Sequence, residues 1–127
     1  MCKQYHTIRT SEDIERFQDV SNGLHDGHIT HVEYNNKGML DYDYTKLSLV
    51  IHVFVTSLPE HPTFEIFFRN VCEWQINIFH FSDMIEFSIR VLEDGRFLWA
   101  DCDSNDINDL KKSCYVVAEE IQYRRIS

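Results

Sequence analysis

Apolar residues recur at every second position through four consecutive segments of the chain: 47–55, 64–68, 72–78 and 85–91. A period of two places successive side chains on opposite faces of a strand, so this alternation predicts strands with one buried face. Short turns between successive strands favour a meander. We therefore predict an α+β fold, with a mostly antiparallel β-sheet of six to eight strands, sandwich-like or half-barrel, and an N-terminal helix packed on it.

The residues before the sheet predict that helix. Thr10 and Ser11 can each cap its start, acids occupy the next two positions, and apolar residues then recur at helical spacing as far as Val20. Asn22-Gly23 predicts its end.

The predicted strands are 28–34, 46–56, 63–69, 71–80, 84–93 and 96–102, with a short strand or an extended connection at 39–44. A bulge near Thr30-His31 would reconcile the first strand with its irregular alternation. The prolines at 59 and 62 predict a loop, Asn70 a turn, and Asp94-Gly95 a hairpin.

The C-terminal stretch has two interpretations. Apolar residues at helical spacing allow one helix over 105–124, whereas the β-branched and aromatic run Cys114-Tyr115-Val116-Val117 favours a strand. We predict about two turns of helix at 105–112, followed by a strand at 114–124.

Length and charge restrict the kind of protein. A chain of 127 residues predicts a single domain spanning 1–127. The formal net charge is −9, which argues against nucleic acid and anionic membranes as partners, because phosphate binding requires clustered Lys and Arg. A basic protein is the partner that this charge favours. A homo-oligomer is compatible with the same composition.

The four cysteines form no C-x-x-C pair, which argues against zinc and thioredoxin-like chemistry. Cys72 and Cys114 lie in apolar strands and are expected to be small core residues. The N-terminal residues contain no apolar signal segment, and no apolar run is long enough to span a bilayer. These features predict a cytoplasmic protein with reduced thiols.

One cluster carries metal-ligand chemistry: His25, Asp26, His28 and His31 lie within seven residues. They match no established metal motif, and residues three apart on a regular strand face opposite sides. We expect His25 and Asp26 to satisfy backbone groups at the corner between the helix and the first strand, with Gly27 making a tight reversal. The four residues remain the weak metal candidates of the chain.

Other motifs fail at defining positions. The segment that begins at Asp101 has oxygens at the first, third and fifth positions of a calcium loop, but Asp106 replaces the glycine and Lys112 the glutamate. No phosphate loop or nucleophile elbow is present in the sequence, and we expect no cofactor. Trp74 with Phe79, or Phe97 with Trp99, could line a ligand cavity; the core is their expected place.

Leu24-His25-Asp26-Gly27-His28-Ile29-Thr30-His31-Val32-Glu33-Tyr34 resembles the opening of several small bacterial families that begin with a His-Asp-small-x-Ile/Leu run. Phe67-Phe68-Arg69-Asn70-Val71 and Ala118-Glu119-Glu120-Ile121-Gln122-Tyr123-Arg124 also resemble theirs. The resemblance implies a strand, a turn and an antiparallel sheet, and some of these proteins are similar to immunity proteins paired with secreted toxins.

Charge, the missing catalytic signature and the resemblance together predict a non-enzymatic binding protein, of the immunity type, that inhibits a basic partner protein. The alternative is a small-molecule or metal-binding enzyme that uses the concave face of the sheet.

Overall fold

The computed structural model describes residues 4–36, 47–76, 87–101 and 114–127. These residues form one α-helix, one 3₁₀ turn and seven strands. In chain order the elements are β1 (His6–Ile8), α1 (Ser11–Ser21), the 3₁₀ turn (Asn22–Leu24), β2 (Gly27–Asn36), β3 (Leu47–Val55), β4 (Thr63–Gln75), β5 (Ser88–Val91), β6 (Phe97–Ala100) and β7 (Tyr115–Arg125).

The strands form one sheet in the order β2-β3-β4-β7-β6-β5, and every described pairing is antiparallel. Strand β1 pairs with the C-terminal part of β7, and β6 pairs with the N-terminal part. Because β4 occupies the other edge of β7, β1 and β6 lie end to end along one edge. Among the described strands, β2 and β5 lie at the two ends of the sheet and do not pair with each other, so the sheet is not closed into a barrel. The predicted α+β fold is confirmed.

The main core lies on one face of the sheet, which we call the inner face. Alternate residues of β3 and β4 point into it, including Ile51, Val53 and Ile66, all fully buried. A second cluster buries part of the opposite face at the β6–β7 end; its members are Leu98, Ala100, Tyr115 and Val117.

Helix α1 covers the inner face through Ile14 and Phe17. The ring of Phe17 stacks on Tyr123 at 4.1 Å and contacts Phe87 at 5.0 Å.

Of the two residues that could cap the start of α1, Thr10 is the one that does so. Its hydroxyl accepts a bond from the Asp13 N–H at 3.2 Å, and Asp13 accepts one from the Thr10 N–H at 3.0 Å. The helix ends at Asn22 in the left-handed conformation, as predicted.

Strand β2 contains the predicted bulge. Its register with β3 shifts between Ile29 and His31, which pair with the consecutive residues Val53 and His52. Thr30 is therefore the extra residue. The bulge restores the alternation, so that Ile29 packs against the core while His31 is exposed.

The turn predicted at Asn70 is wrong, because β4 continues through it as a strand of 13 residues. Asn70 has a positive φ of 55°, and the register with β7 shifts between Val71 and Glu73. The side-chain amide of Asn70 also donates to Glu119 at 2.9 Å. A residue that tolerates the left-handed region makes a bulge here, rather than a reversal of the chain.

The C-terminal strand is confirmed as β7, so one helix over 105–124 is wrong for residues 115–124. Pairing with β4 along its whole length overrides the helical spacing, because buried β-branched residues fit a central strand. The predictions for 39–44, for 105–112, for Phe79 and for most of the calcium-like segment lie outside the described residues.

The hairpin at Asp94-Gly95 is confirmed. Gly95 has a φ of 87° and donates to the Leu92 carbonyl at 2.9 Å, and the Leu92 N–H donates to the Arg96 carbonyl at 2.8 Å. The loop at the two prolines is also confirmed, between β3 and β4. Strand β1, only three residues long, was not predicted. Within the described residues, no helix is long and apolar enough to span a bilayer.

Candidate functional site

A row of polar side chains crosses the outer face of the sheet, opposite α1. His31, His52, Glu65 and Arg124 are direct cross-strand neighbours on β2, β3, β4 and β7. Tyr5, just before β1, joins them through its hydroxyl, which donates to Glu65. We call these five residues the Glu65 cluster. It links four strands and the N-terminal segment.

Glu65 is the centre of the cluster and is 9% exposed. His52 Nε2 lies 2.8 Å from its Oε2 atom, while Arg124 donates to Oε1 from Nε at 2.8 Å and approaches it with Nη2 at 2.7 Å. Both carboxylate oxygens are therefore engaged by neighbouring side chains. A partly buried carboxylate is stable in this place because its charge is paired and hydrogen-bonded.

The electrostatics of Glu65 follow from these contacts. Burial would raise the pKa of the Glu65 carboxyl, but the hydrogen bonds from Tyr5 and His52 and the charge and hydrogen bonds of Arg124 outweigh it. The pKa of Glu65 therefore lies below its ordinary value, and the group is a carboxylate at neutral pH.

Aromatic rings surround the cluster. The Arg124 guanidinium lies 4.4 Å from the centre of the Tyr5 ring, and the rings of His31 and His52 lie 4.7 Å apart. Phe67, the next outward residue on β4, lies 6.0 Å from Tyr5. These contacts hold the long Arg124 side chain in one place and lower the entropy lost when it pairs with Glu65.

The chemistry open to this cluster is limited by its own bonds. A carboxylate with a lowered pKa and both oxygens engaged is a poor general base. The structure describes no hydroxyl or thiol hydrogen-bonded to His52, so this histidine has no nucleophile partner among the described residues. The cluster is best explained as an ionic clamp between strands.

The predicted His/Asp residues do not converge. Only His31 joins the Glu65 cluster, through its contact with His52. His25 and Asp26 contact each other at 3.9 Å with side chains about half exposed, and His28 lies opposite Phe54 on β3. Within 4–36, 47–76, 87–101 and 114–127, no three His, Cys, Asp or Glu residues come together in a way that could hold a metal.

His25 and Asp26 do hold the corner, but through their backbone. The Ser57 hydroxyl donates to the His25 carbonyl at 2.5 Å, and the Thr56 hydroxyl donates to the Asp26 carbonyl at 3.0 Å. The reversal lies at Asp26, with a φ of 57°, and not at Gly27. The expected use of the Asp26 carboxylate as an acceptor of backbone N–H groups has no counterpart among the described bonds.

The cysteine predictions have mixed outcomes. Cys114 is buried, as expected, whereas Cys72 is exposed. The expectation for Cys72 is wrong because it occupies the bulge after Asn70, where the alternation of β4 changes. Asp101 binds the backbone N–H of Cys114 at 3.3 Å through its carboxylate. Phe97 and Trp99 belong to the core, and Trp74 packs partly against it.

The residues that sequence reasoning missed are Tyr5, His52, Glu65 and Arg124. A weak signal was present: His52 and Glu65 are polar positions between apolar neighbours, so each must point outward from its strand. Their meeting depends on the register of strands far apart in the sequence. Comparison with protein-family models, with curated proteins and with solved structures finds no match for the chain.

Proposed function

We propose that this chain is a non-enzymatic binding protein, of the immunity type, that inhibits a basic partner protein by covering it with an acidic surface. The observation that carries the proposal is how the described charges pair. Four arginines, on α1, the β5–β6 loop and β7, form ion pairs with carboxylates of the same molecule: Arg16–Asp13, Arg96–Asp94, Arg124–Glu65 and Arg125–Glu60. The excess acid is left for solvent or a partner.

The clearest unpaired acids lie on α1. Glu12, Glu15 and Asp19 are exposed, and their spacing of three and four residues places them on one helix face. No ion pair to any of them is found among the described residues. We call them the acidic helix face. A basic partner would approach this face rapidly and in a defined orientation, because a concentrated field of one sign steers association.

The resemblance to families that include immunity proteins supports the same proposal. Immunity genes lie beside the genes of the toxins they neutralise, so the neighbouring gene identifies the partner to test. We expect it to encode a basic protein. Neighbours that are unrelated metabolic genes, together with pull-downs that recover no protein, would remove the basis of the proposal.

The binding experiment uses the product of that neighbouring gene and isothermal titration calorimetry. The variant Glu12→Gln/Glu15→Gln/Asp19→Asn keeps side-chain size and removes the acidic helix face. We expect it to weaken binding by roughly tenfold or more, since each rim charge contributes a few tenths to about 1 kcal/mol. Glu93→Gln, on the β5–β6 hairpin, is the matched control and should bind like the original chain. Equal affinities for all three proteins would contradict the acidic helix face as the binding surface.

The alternative function is a small-molecule or metal-binding enzyme, with His25, Asp26, His28 and His31 as ligands in its metal form. One observation favours the enzyme: Glu65 orients His52, and an oriented imidazole is a common acid–base group. Metal analysis of protein purified without an affinity tag tests the metal form. Less than about a tenth of an equivalent of any transition metal would contradict it.

A further inference from the structure

A cavity of about 250 Å³ lies between α1 and the end of the sheet at β1, β4 and β7. It is lined by His6, Arg16, Val20, Phe64, Tyr123 and Arg125. Among the described residues, no Asp or Glu side chain lines it, although the chain as a whole is strongly acidic. The volume is just below the range of drug-sized ligand sites, so it suits a ligand of about ten non-hydrogen atoms.

The floor of the cavity is apolar and rigid. Phe64 is 3% exposed and Tyr123 is 5% exposed. The Tyr123 ring lies between Phe17, stacked at 4.1 Å, and His6, tilted at 5.2 Å, so its position is fixed by packing on both sides. Val20 adds an exposed apolar side chain from α1. Such a surface binds the apolar part of a ligand without reorganising.

The Tyr123 hydroxyl is a polar group without a hydrogen bond to any described residue, on a side chain that is nearly completely buried. Burial raises the pKa of Tyr123. The charge of Arg16 lowers this pKa and the charge of Asp13 raises it, both by less than burial does. The group therefore remains an O–H donor at neutral pH. Tyr123 lines the cavity, so its hydroxyl can donate to an acceptor of a ligand bound there.

The rim carries the charge that such an acceptor would need. Arg125 binds Glu60 through Nη2 at 2.8 Å and the Ser127 carbonyl through Nε at 2.7 Å, which leaves Nη1 for another acceptor. Arg16 approaches Asp13 only at 3.5 Å. Two guanidinium groups, one from α1 and one from β7, line the same cavity, and guanidinium is the side-chain group that best matches the planar geometry of a carboxylate.

The geometry points to a binding site for a small organic carboxylate with an aromatic or branched apolar body. The carboxylate lies between Arg16 and Arg125 and accepts from the Tyr123 hydroxyl. The apolar body packs on Phe64 and Val20. This site uses none of the three residues that define the acidic helix face, and its test needs no partner protein, so its failure and the failure of the proposed inhibitor function are distinguishable.

The test uses NMR to monitor three separate titrations of the ¹⁵N-labelled chain. The ligands are 3-phenylpropionate, its neutral amide 3-phenylpropionamide, and acetate. With 3-phenylpropionate we expect saturable shifts at the residues that line the cavity. The amide should bind about tenfold more weakly because it lacks a charge-assisted bond, and acetate more weakly still because it has no apolar body. Equal affinity for the acid and the amide, or no cavity shifts at about 20 mM acid, would overturn the proposal.

Variants locate the site. Arg16→Gln removes an exposed guanidinium, and Tyr123→Phe removes the hydroxyl while keeping the ring stacked on Phe17. Each variant should weaken 3-phenylpropionate binding by at least about threefold. The backbone N–H signals of residues outside the cavity should stay unchanged, which shows that the fold is intact. Arg96→Gln, which removes a guanidinium from the β5–β6 hairpin, is the control and should leave the affinity unchanged. Weakening by Arg96→Gln equal to that by Arg16→Gln would show nonspecific attraction to positive charge and overturn the proposal.

Discussion

At the scale of single residues, Glu65 tests whether the outer-face cluster stabilises the fold. Glu65→Gln keeps the shape of the side chain but removes the charge that Arg124 and His52 face. We expect a loss of about 1–3 kcal/mol in the free energy of unfolding at pH 7, the range for an imperfectly satisfied buried group. Urea melts followed by circular dichroism measure it, with the exposed Glu33→Gln as the control expected to change little.

The pH dependence of the same comparison follows from the lowered pKa of Glu65. A carboxylate whose pKa is lower in the folded state stabilises the fold fully above its unfolded pKa of about 4.3. Below that value, the stabilisation is lost as the pH falls through the folded pKa. The stability difference between the original chain and Glu65→Gln should therefore shrink as the pH falls below about 4. A difference that kept growing below about pH 4 would contradict the clamp.

Asp26 separates a backbone role from a side-chain role at the corner before β2. Its φ of 57° is costly for most side chains and free for glycine. Asp26→Ala should therefore destabilise the chain by about 1 kcal/mol, while Asp26→Gly should be nearly neutral. Urea melts of both variants decide the point. Equal destabilisation by the two would show that the carboxylate itself holds the corner.

At the scale of elements, the start of α1 is a choice between two adjacent hydroxyls. The structure assigns the capping box to Thr10 with Asp13. Thr10→Ala should cost about 1 kcal/mol in unfolding free energy, and Ser11→Ala close to nothing, because only the first removes an acceptor from an otherwise unpaired N–H. Thermal or urea unfolding of the pair tests the assignment. The reverse ranking would place the helix start one residue later.

Local patterns predicted most of these elements, and the failures have local causes too. Alternating residues predicted β3, and the irregular alternation around Thr30 predicted the bulge in β2, because burial of one face is a property of a single strand. Asn70 was interpreted as a turn because the left-handed conformation it favours serves turns and bulges equally. Strand β1 is too short for a periodic signal and depends on β7 for its place.

The candidate sites could not be predicted in the same way. His52 and Glu65 come from β3 and β4, and Arg124 lies 59 residues further along the chain from Glu65. The cavity likewise needs α1 to lie over β7. Neither set of residues shows a characteristic spacing in the sequence. Strand order and register bring each set together, and non-local packing determines both.

At the scale of the whole molecule, four arginines of the described regions form internal ion pairs, and the chain carries a formal net charge of −9. Net charge of this size governs solubility, association rate and choice of partner more than it governs the fold. The proposed inhibitor function is therefore a claim about long-range electrostatics, which depends on salt in a known direction.

The most direct measurement of that claim is the affinity for the neighbouring gene's product at two salt concentrations. Raising sodium chloride from about 50 to about 300 mM shortens the Debye length from roughly 14 to roughly 6 Å and screens charges at the interface rim. We expect the dissociation constant to rise by about tenfold or more, mainly through slower association. The acidic-helix-face variant should show a smaller rise. An affinity that does not change with salt would contradict an acidic surface as the basis of binding.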